Sequence, residues 1–395
     1  MHSDRARHAL TILSLALGAF AIGVSEFAAM GVLPFYATDF GVTEPVAGHA
    51  ISAYALGVVI GAPVLAVLCA RLRRRAVLIA MILAFGAANL LGAIAPSMGL
   101  LTGSRVLAGL PHGAYLGIAM LFAADLLPRG QRARGVAQVL LGLTLANVIG
   151  VPAASAIGQT VGWRSLFVIV AGISVISAFM IARVAPDPDP AEGASPLREL
   201  GALGNRGVWL TLAVGAVGFG GVFAVYSFFS AALIDAGNAP AWAIPASLSL
   251  FGVGATVGNV IAGRLAAWSQ IGGALVLLLG MIATALLYAA VMGSWPLMAV
   301  SVALLGSTAG LVVPLQTRLM DVAGDAQTLA AALNHAAFNL ANALGPFFAG
   351  MALSAGYGWA STGYVGAALS AAGVGVLGLA WLDTRRRPGA LVPAQ

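Results

Sequence analysis

The sequence predicts an all-α membrane protein with twelve transmembrane helices in two six-helix parallel-repeat bundles. Three observations carry that expectation. The chain has 395 residues, 60% hydrophobic and 8% charged, where a soluble domain carries about 25% charged residues, so it cannot coat itself with a polar surface. Its apolar residues form long continuous runs, unlike the alternating segments of roughly 10 residues that build a membrane barrel. Segments of the first half also recur in the second at a nearly constant offset. A cytosolic enzyme, a secreted disulfide scaffold and a disordered chain are excluded.

Twelve apolar runs can be cut, at 10–35, 46–69, 76–95, 98–123, 134–157, 163–184, 207–234, 241–267, 272–292, 295–320, 326–354 and 358–382. Each reaches the roughly 20 residues that cross a hydrocarbon core of about 30 Å. The first run is too long for a cleavable signal peptide. Between the sixth and seventh runs, Pro186-Asp187-Pro188-Asp189-Pro190 stops a helix and keeps the chain extended. This gives a first bundle at 1–184, a cytoplasmic linker at 185–206 and a second bundle at 207–395.

All 19 positive residues are arginine. Without lysine there is no Walker A loop and no Schiff-base chemistry. The net charge of +6 sits in short clusters between apolar runs, which is a membrane pattern and not a nucleic-acid footprint. Of the 19 arginines, 17 fall at alternate run ends, leaving Arg164 at the opposite end and Arg105 inside the fourth run. The positive-inside rule then places both termini in the cytoplasm. Cys69 stands alone and no cysteine–histidine cluster suggests a metal, so no cofactor is expected.

The repeat is visible in three runs. Gly57 and Gly61 recur as Gly254 and Gly258, Gly109 and Gly113 as Gly306 and Gly310, and Asn147 and Gly150 as Asn342 and Gly345. Six helices per half give both halves one orientation, and a parallel pair of bundles around a midplane site is a transporter architecture. Small residues form stripes along the fifth run (Gly142, Ala146, Gly150, Ala154, Gly158), the eighth (Gly254, Gly258, Ala262, Ala266), the eleventh (Ala337, Ala341, Gly345, Ala349) and the second (Gly57, Gly61). Close backbone approach at such stripes holds helices together in lipid, and the stripes predict where the two halves meet.

The segments 13–34, 47–63, 105–113, 144–152 and 337–345 resemble the major facilitator superfamily, and within it the drug:proton antiporter-1 group and its arabinose-efflux-permease-like (AraJ type) branch of bacterial inner-membrane exporters. The family's loop after the second helix, Gly-x-x-x-Asp-Arg-x-Gly-Arg-Arg, falls on Ala66, Ala70, Arg71, Arg73, Arg74 and Arg75. The arginines are kept and the acid is replaced by Ala70, so a latch built on that carboxylate does not carry over. The fourth-helix motif falls on Arg105, Gly109 and Gly113. The fifth-helix antiporter motif falls on Gly142, Gly150, Pro152 and Gly158, with Val151 splitting the usual Gly-Pro pair. Gly258 and Gly345 are the second-half glycines of the same conformational set.

Polar residues inside the runs are costly, about 2.5–3.5 kcal/mol for a charge on insertion scales, and so mark candidate function. Glu26 is the one acid well inside a run. Burial works against its ionised form, and a carboxyl balanced between two forms suits a reversible proton carrier; the alternative is a permanently structural carboxyl. Arg105 either tunes Glu26 or bonds neighbouring carbonyls. His112, about 10 Å deeper along the same helix, either relays protons or packs. His335, Asn339 and Asn342 share one helical face that should line a cavity, with Gln316 adding hydrogen-bonding capacity, while Asn342 and Asn147 beside the glycine stripes read as helix-to-helix glue. Phe219, Phe223 and Tyr226, with Tyr54 and Tyr115, offer an aromatic wall for an amphiphilic molecule.

Together these residues predict a secondary active transporter, not an enzyme. It would export a small neutral or amphiphilic molecule, such as a sugar or drug, in exchange for protons by alternating access. The alternative is a facilitator or importer of the same fold without obligatory proton exchange. The expected partners are the substrate, protons and the lipid bilayer, with no nucleic acid, and the expected state is a monomer.

Overall fold

A computed structural model describes residues 2–69, 72–128, 131–187, 204–323 and 327–386. Arg71 and most of the predicted linker lie outside the described residues. Among the described residues, twelve helices are long and apolar enough to cross a membrane: α1 (Ala6–Gly31), α2 (Glu44–Leu65), α3 (Arg74–Ala93), α4 (Met98–Asp125), α5 (Arg134–Thr160), α6 (Arg164–Val184), α7 (Arg206–Asp235), α8 (Ala243–Trp268), α9 (Gln270–Ala290), α10 (Trp295–Ala323), α11 (Leu333–Ser354) and α12 (Ala360–Arg385). Helices are the form that satisfies every backbone group within its own segment in hydrocarbon. Among the described residues, side chains cap three of the starts: Ser97 accepts from Leu100 N before α4, Asn205 from Gly207 N before α7 and Ser269 from Gly272 N before α9. Helices α1–α6 form one half and α7–α12 the other.

Helix ends of like character gather together. At one end, rich in arginine, Arg7 donates to Val184 O, Arg75 to Ala182 O and Arg73 to Asp187. The acid missing from the loop after α2 is supplied by the end of α4, where Asp125 accepts from both Arg74 (2.6 Å) and Arg132 (3.0 Å). At the arginine-poor end, a short helix, Leu33–Phe40, continues beyond α1. Its Asp39 accepts from Arg164 and from Trp163 Nε1, while Arg164 also donates to Ala95 O. These bonds tie three loops of the first half together.

The small-residue stripes do not mark the contact between halves. A Cβ on Gly57 would strike Val106 O of α4, one on Gly142 would strike Ala16 O of α1, one on Gly254 would strike Ala303 O of α10, and one on Gly345 would lie 2.6 Å from Gly220 O of α7. The stripes therefore serve α2–α4 and α5–α1 in the first half and the repeat-related α8–α10 and α11–α7 in the second. These closest backbone approaches lie within a bundle, where dispersion is the main attraction.

The halves meet instead along α2–α11 and α5–α8 through other faces. Ser52 of α2 donates to Ala343 O of α11 (3.1 Å), and Ser249 of α8 donates to Val148 O of α5 (3.4 Å). Ser52 and Ser249 occupy equivalent positions of the repeat, as do Val148 and Ala343. Each carbonyl lies three or four residues before a proline, Pro152 in α5 and Pro346 in α11. Proline carries no N–H, so a carbonyl one turn earlier loses its helical donor. In α5 this is Val148 O, and a π-turn at Ala146–Gly150 accompanies the break.

Two outcomes follow from this packing. Gly61→Ala pushes a methyl into Leu110 backbone atoms, whereas Gly117 has open space beside it. Overpacking costs about 1–3 kcal/mol, so Gly61→Ala lowers the thermal midpoint in detergent and Gly117→Ala does not. Asp39 is held below its ordinary carboxylate value of 3.8, first by the Arg164 hydrogen bond and then by that of Trp163. Its stabilisation is therefore complete above pH 3.8 and lost as pH falls below it. Thermal melts across pH will show this acid limb in the native protein and a smaller one in Asp39→Asn.

Candidate functional site

Glu26 lies where the two halves touch. It is 8% exposed, and because helical turns continue after α1 through Phe40, it sits deeper in the molecule than the end of α1 implies. Its Oε1 accepts from Asn342 Nδ2 of α11 at 3.0 Å. The bond joins the one acid inside a first-half span to an amide of the second half. Asn342 is fully buried, and its Oδ1 has no donor.

Arg105 is 2% exposed on α4 and points at the residue before Glu26. Nη1 donates to Ser25 Oγ (2.8 Å) and Nη2 to Ser25 O (3.0 Å). Ser25 Oγ in turn donates to Asn89 Oδ1 of α3 (2.6 Å), and Asn89 Nδ2 to Phe85 O. No ion pair joins Arg105 to Glu26 among the described residues. The guanidinium lies over the Tyr54 ring, 4.1 Å from its centroid, a cation–π contact that strengthens where water is excluded. Arg105 Nε is buried without an acceptor.

Tyr54 hands the network on. Its hydroxyl and His112 Nδ1 are 2.9 Å apart, with the donor set by the imidazole tautomer. Helices α1, α2, α3 and α4 thus pool Ser25, Glu26, Tyr54, Asn89, Arg105 and His112 in one buried polar cluster.

The aromatic residues gather beside it. Phe27, next to Glu26, stacks on Phe223 of α7 (6.3 Å between centroids) and meets Tyr226 edge-on (6.1 Å). Phe219 packs on Phe223 (5.5 Å) and on Phe338 of α11 (4.7 Å), and Tyr226 on Phe251 of α8 (4.2 Å). Phe219, Phe223 and Tyr226 therefore come together as one surface. Asn339 donates to His335 O, and its Oδ1 has no donor.

Two predicted ligand contacts lie elsewhere. Tyr115 is fully buried against α1, its hydroxyl donating to Leu15 O (3.2 Å). Gln316 accepts from Asn334 at 2.7 Å, joining α10 to α11 within the second half. The motif glycines are packing positions: Gly109 faces Tyr54 O, Gly113 Ala62, Gly150 Val24 and Gly258 Ser307 O. Ser25, Phe27, Asn89 and the cross-half role of Asn342 escape the sequence reading. The repeat pairing of Asn342 with Asn147, and its place on the His335 face, were the available signals. Among the described residues no cluster of three or more histidine, cysteine or acidic groups could hold a metal.

The sequence profile of the Major Facilitator Superfamily matches residues 15–272 and 246–395. The chain belongs to the Major Facilitator Superfamily. Among its superfamily relatives, the inner membrane transport protein YdhP of Escherichia coli (strain K12) is 40% identical over 384 residues, covering 95% of this chain and 96% of YdhP. A chloramphenicol resistance protein of Streptomyces lividans is 37% identical over 357 residues, covering 87% of this chain and 89% of that protein. The fold is shared with a bacterial homologue of the human lysosomal transporter Spinster, solved inward-facing and unoccupied, with a TM-score of 0.71, 16% identity, and coverage of 98% of this chain and 99% of that one. This superfamily member is a twelve-span membrane transporter and not an enzyme.

The cluster geometry ranks its members. Arg105→Lys keeps the charge but loses the fork that grips Ser25 twice, and thermal stability should fall by about 1–3 kcal/mol. Tyr54→Phe removes only the hydroxyl bonded to His112 and should cost about 0.5–1.5 kcal/mol. Thermal denaturation of the purified variants tests the ranking, and a larger loss from Tyr54→Phe contradicts it.

Proposed function

We propose that this transporter exports a small neutral or amphiphilic molecule in exchange for protons, with Glu26 as the proton site. The observation that carries the reading is the placement of Glu26: buried, unpaired with Arg105, and hydrogen-bonded to the opposite half through Asn342. A carboxyl locked in a salt bridge is held in its charged form, and one facing lipid has no aqueous proton to exchange. Here the acid touches the moving partner, so a change in its protonation acts directly on how the halves meet.

The arrangement of contacts supports alternating access. Among the described residues, the hydrogen bonds between halves run from Ser52 to Ala343 O, Ser249 to Val148 O, Ser227 to Met30 Sδ, and Asn342 to Glu26. All lie at mid-membrane or toward the arginine-poor end. We read the arginine-rich end, with both termini, as cytoplasmic and this state as closed to the outside. Residues 1–184 and 207–395 then rock as two bundles about the linker 185–206.

Phe27, Phe219, Phe223 and Tyr226 fit an apolar or flat molecular face, and His112, His335 and Asn339 offer groups for hydroxyls or amides. The sparse charge at this centre favours an uncharged substrate over a polyvalent ion. The relative's chloramphenicol resistance makes an amphenicol the first compound to test, and sugars the second. In everted membrane vesicles, the native protein should accumulate labelled chloramphenicol or sugar only while a proton gradient stands. Glu26→Gln should remain folded yet fall to the level of vesicles lacking the protein. Undiminished proton-coupled accumulation by Glu26→Gln overturns the assignment of Glu26, and native flux indifferent to collapse of the gradient overturns antiport.

A further inference from the structure

Two buried groups around Glu26 lack partners, and they need opposite things. Asn342 Oδ1, on α11, needs a donor, while Arg105 Nε, on α4, needs an acceptor. A carboxylate only accepts hydrogen bonds, whereas a protonated carboxyl has one O–H to give. Glu26 therefore can serve Asn342 fully only when protonated, and Arg105 best when ionised.

The edges of a carboxylic acid and a primary amide are complementary. Asn342 Nδ2 already donates to Oε1 at 3.0 Å. With a proton on its second oxygen, the carboxyl can also donate to Asn342 Oδ1 and close a ring of two hydrogen bonds. We propose that Asn342 is a positioning residue that reads the protonation of Glu26 across the two halves: the acid–amide pair holds the arginine-poor side shut, and loss of the proton releases it.

The surroundings favour this division. The charged and titratable groups around Glu26 are Arg105 and His112 on α4 and Tyr54 on α2, with Tyr226 of α7 packed on the adjacent Phe27 and His335 seven residues before Asn342 on α11. From α5 come the uncharged Leu143 and Ala146, beside Gly23. Arg105 directs one N–H each of Nη1 and Nη2 at Ser25, and its Nε–H lies unspent within the first half. On ionising, Glu26 gains attraction toward its own half and keeps one bond to the other. The released proton leaves to water, and the clamp loses its O–H donor. The order of events follows: the proton-loaded form is the one closed at the arginine-poor end.

This inference rests on Glu26 as the proton site, but its test needs no substrate. Spin labels at Thr160→Cys and Ala241→Cys, in a Cys69→Ala background, report the separation of the α5 and α8 ends by electron–electron double resonance. The native protein in lipid nanodiscs should be closed at acidic pH and open as pH rises. Glu26→Gln, whose amide supplies an N–H in place of the O–H, should stay closed throughout. Asn342→Ala should lose most of the closed population at acidic pH.

A pH response in Asn342→Ala equal to the native one, or an open Glu26→Gln, overturns the proposal. If Asn342→Ala does not fold, Asn342→Leu is examined by infrared difference spectroscopy. The protonated Glu26 carbonyl band, assigned through its loss in Glu26→Gln, should move to higher frequency without its amide partner, and an unmoved band overturns the proposal. Proton-coupled export without this pH response removes the switch and leaves the exporter standing. The response without export does the reverse.

Discussion

A polar group carried into hydrocarbon must find its partner inside the protein, because no water is there to supply one. That constraint organises this transporter. The buried Arg105 makes no ion pair among the described residues, so it takes a hydroxyl and a carbonyl from one residue, Ser25, and rests on the face of Tyr54. Ser25 must then pass its own proton to Asn89, and Asn89 its amide to Phe85 O. Each member is fixed by the demand of the one before it.

The same constraint explains where the halves touch. A proline in a membrane helix frees a carbonyl that has to be served from elsewhere. In α5 the carbonyl of Val148, four residues before Pro152, is served by Ser249 from the other half. At the equivalent seam, Ser52 donates to Ala343 O, one residue after Asn342, whose carbonyl lies four residues before Pro346. Single, moderate hydrogen bonds of this kind can be made and broken singly, whereas the glycine stripes pack within each half. Such a division suits two bundles that keep their shape while moving against each other.

Fold and span count were legible because they depend on composition and on runs of residues, which are local. The stripes were legible as close contacts, yet assigned to the wrong partner: one face of small residues says that a backbone comes near, and nothing about which. Glu26, Arg105, Tyr54 and His112 stood out because polar groups are rare in these helices, but their pairing depends on helix rotation, which the repeat does not specify. Asn342 was read as helix glue, and it does bond across helices. What one helix at a time could not reveal was that its partner is the acid. Tyr115 illustrates the opposite case, an amphipathic side chain whose polar tip meets a backbone carbonyl in the packing of a single bundle.

The repeat also shows how one transporter comes to hold one acid at its centre. Gly18 and Gly23 of α1 recur as Gly215 and Gly220 of α7, and at the same offset Glu26 corresponds to Phe223. Asn342 corresponds to Asn147. The pair that joins Glu26 to Asn342 therefore has a counterpart made of Phe223 and Asn147, in which there is no acid to bond. Asn147 donates to Leu143 O of its own helix instead, and its Oδ1 has no donor. Duplication alone gives two equivalent seams. With a carboxyl at one of them and a phenyl ring at the other, one hydrogen bond between the halves involves an acid among the described residues, and opposite it lies the ring against which Phe27 stacks. An ionisable carboxyl and an aromatic ring thus occupy the same repeat position, divided between the two halves.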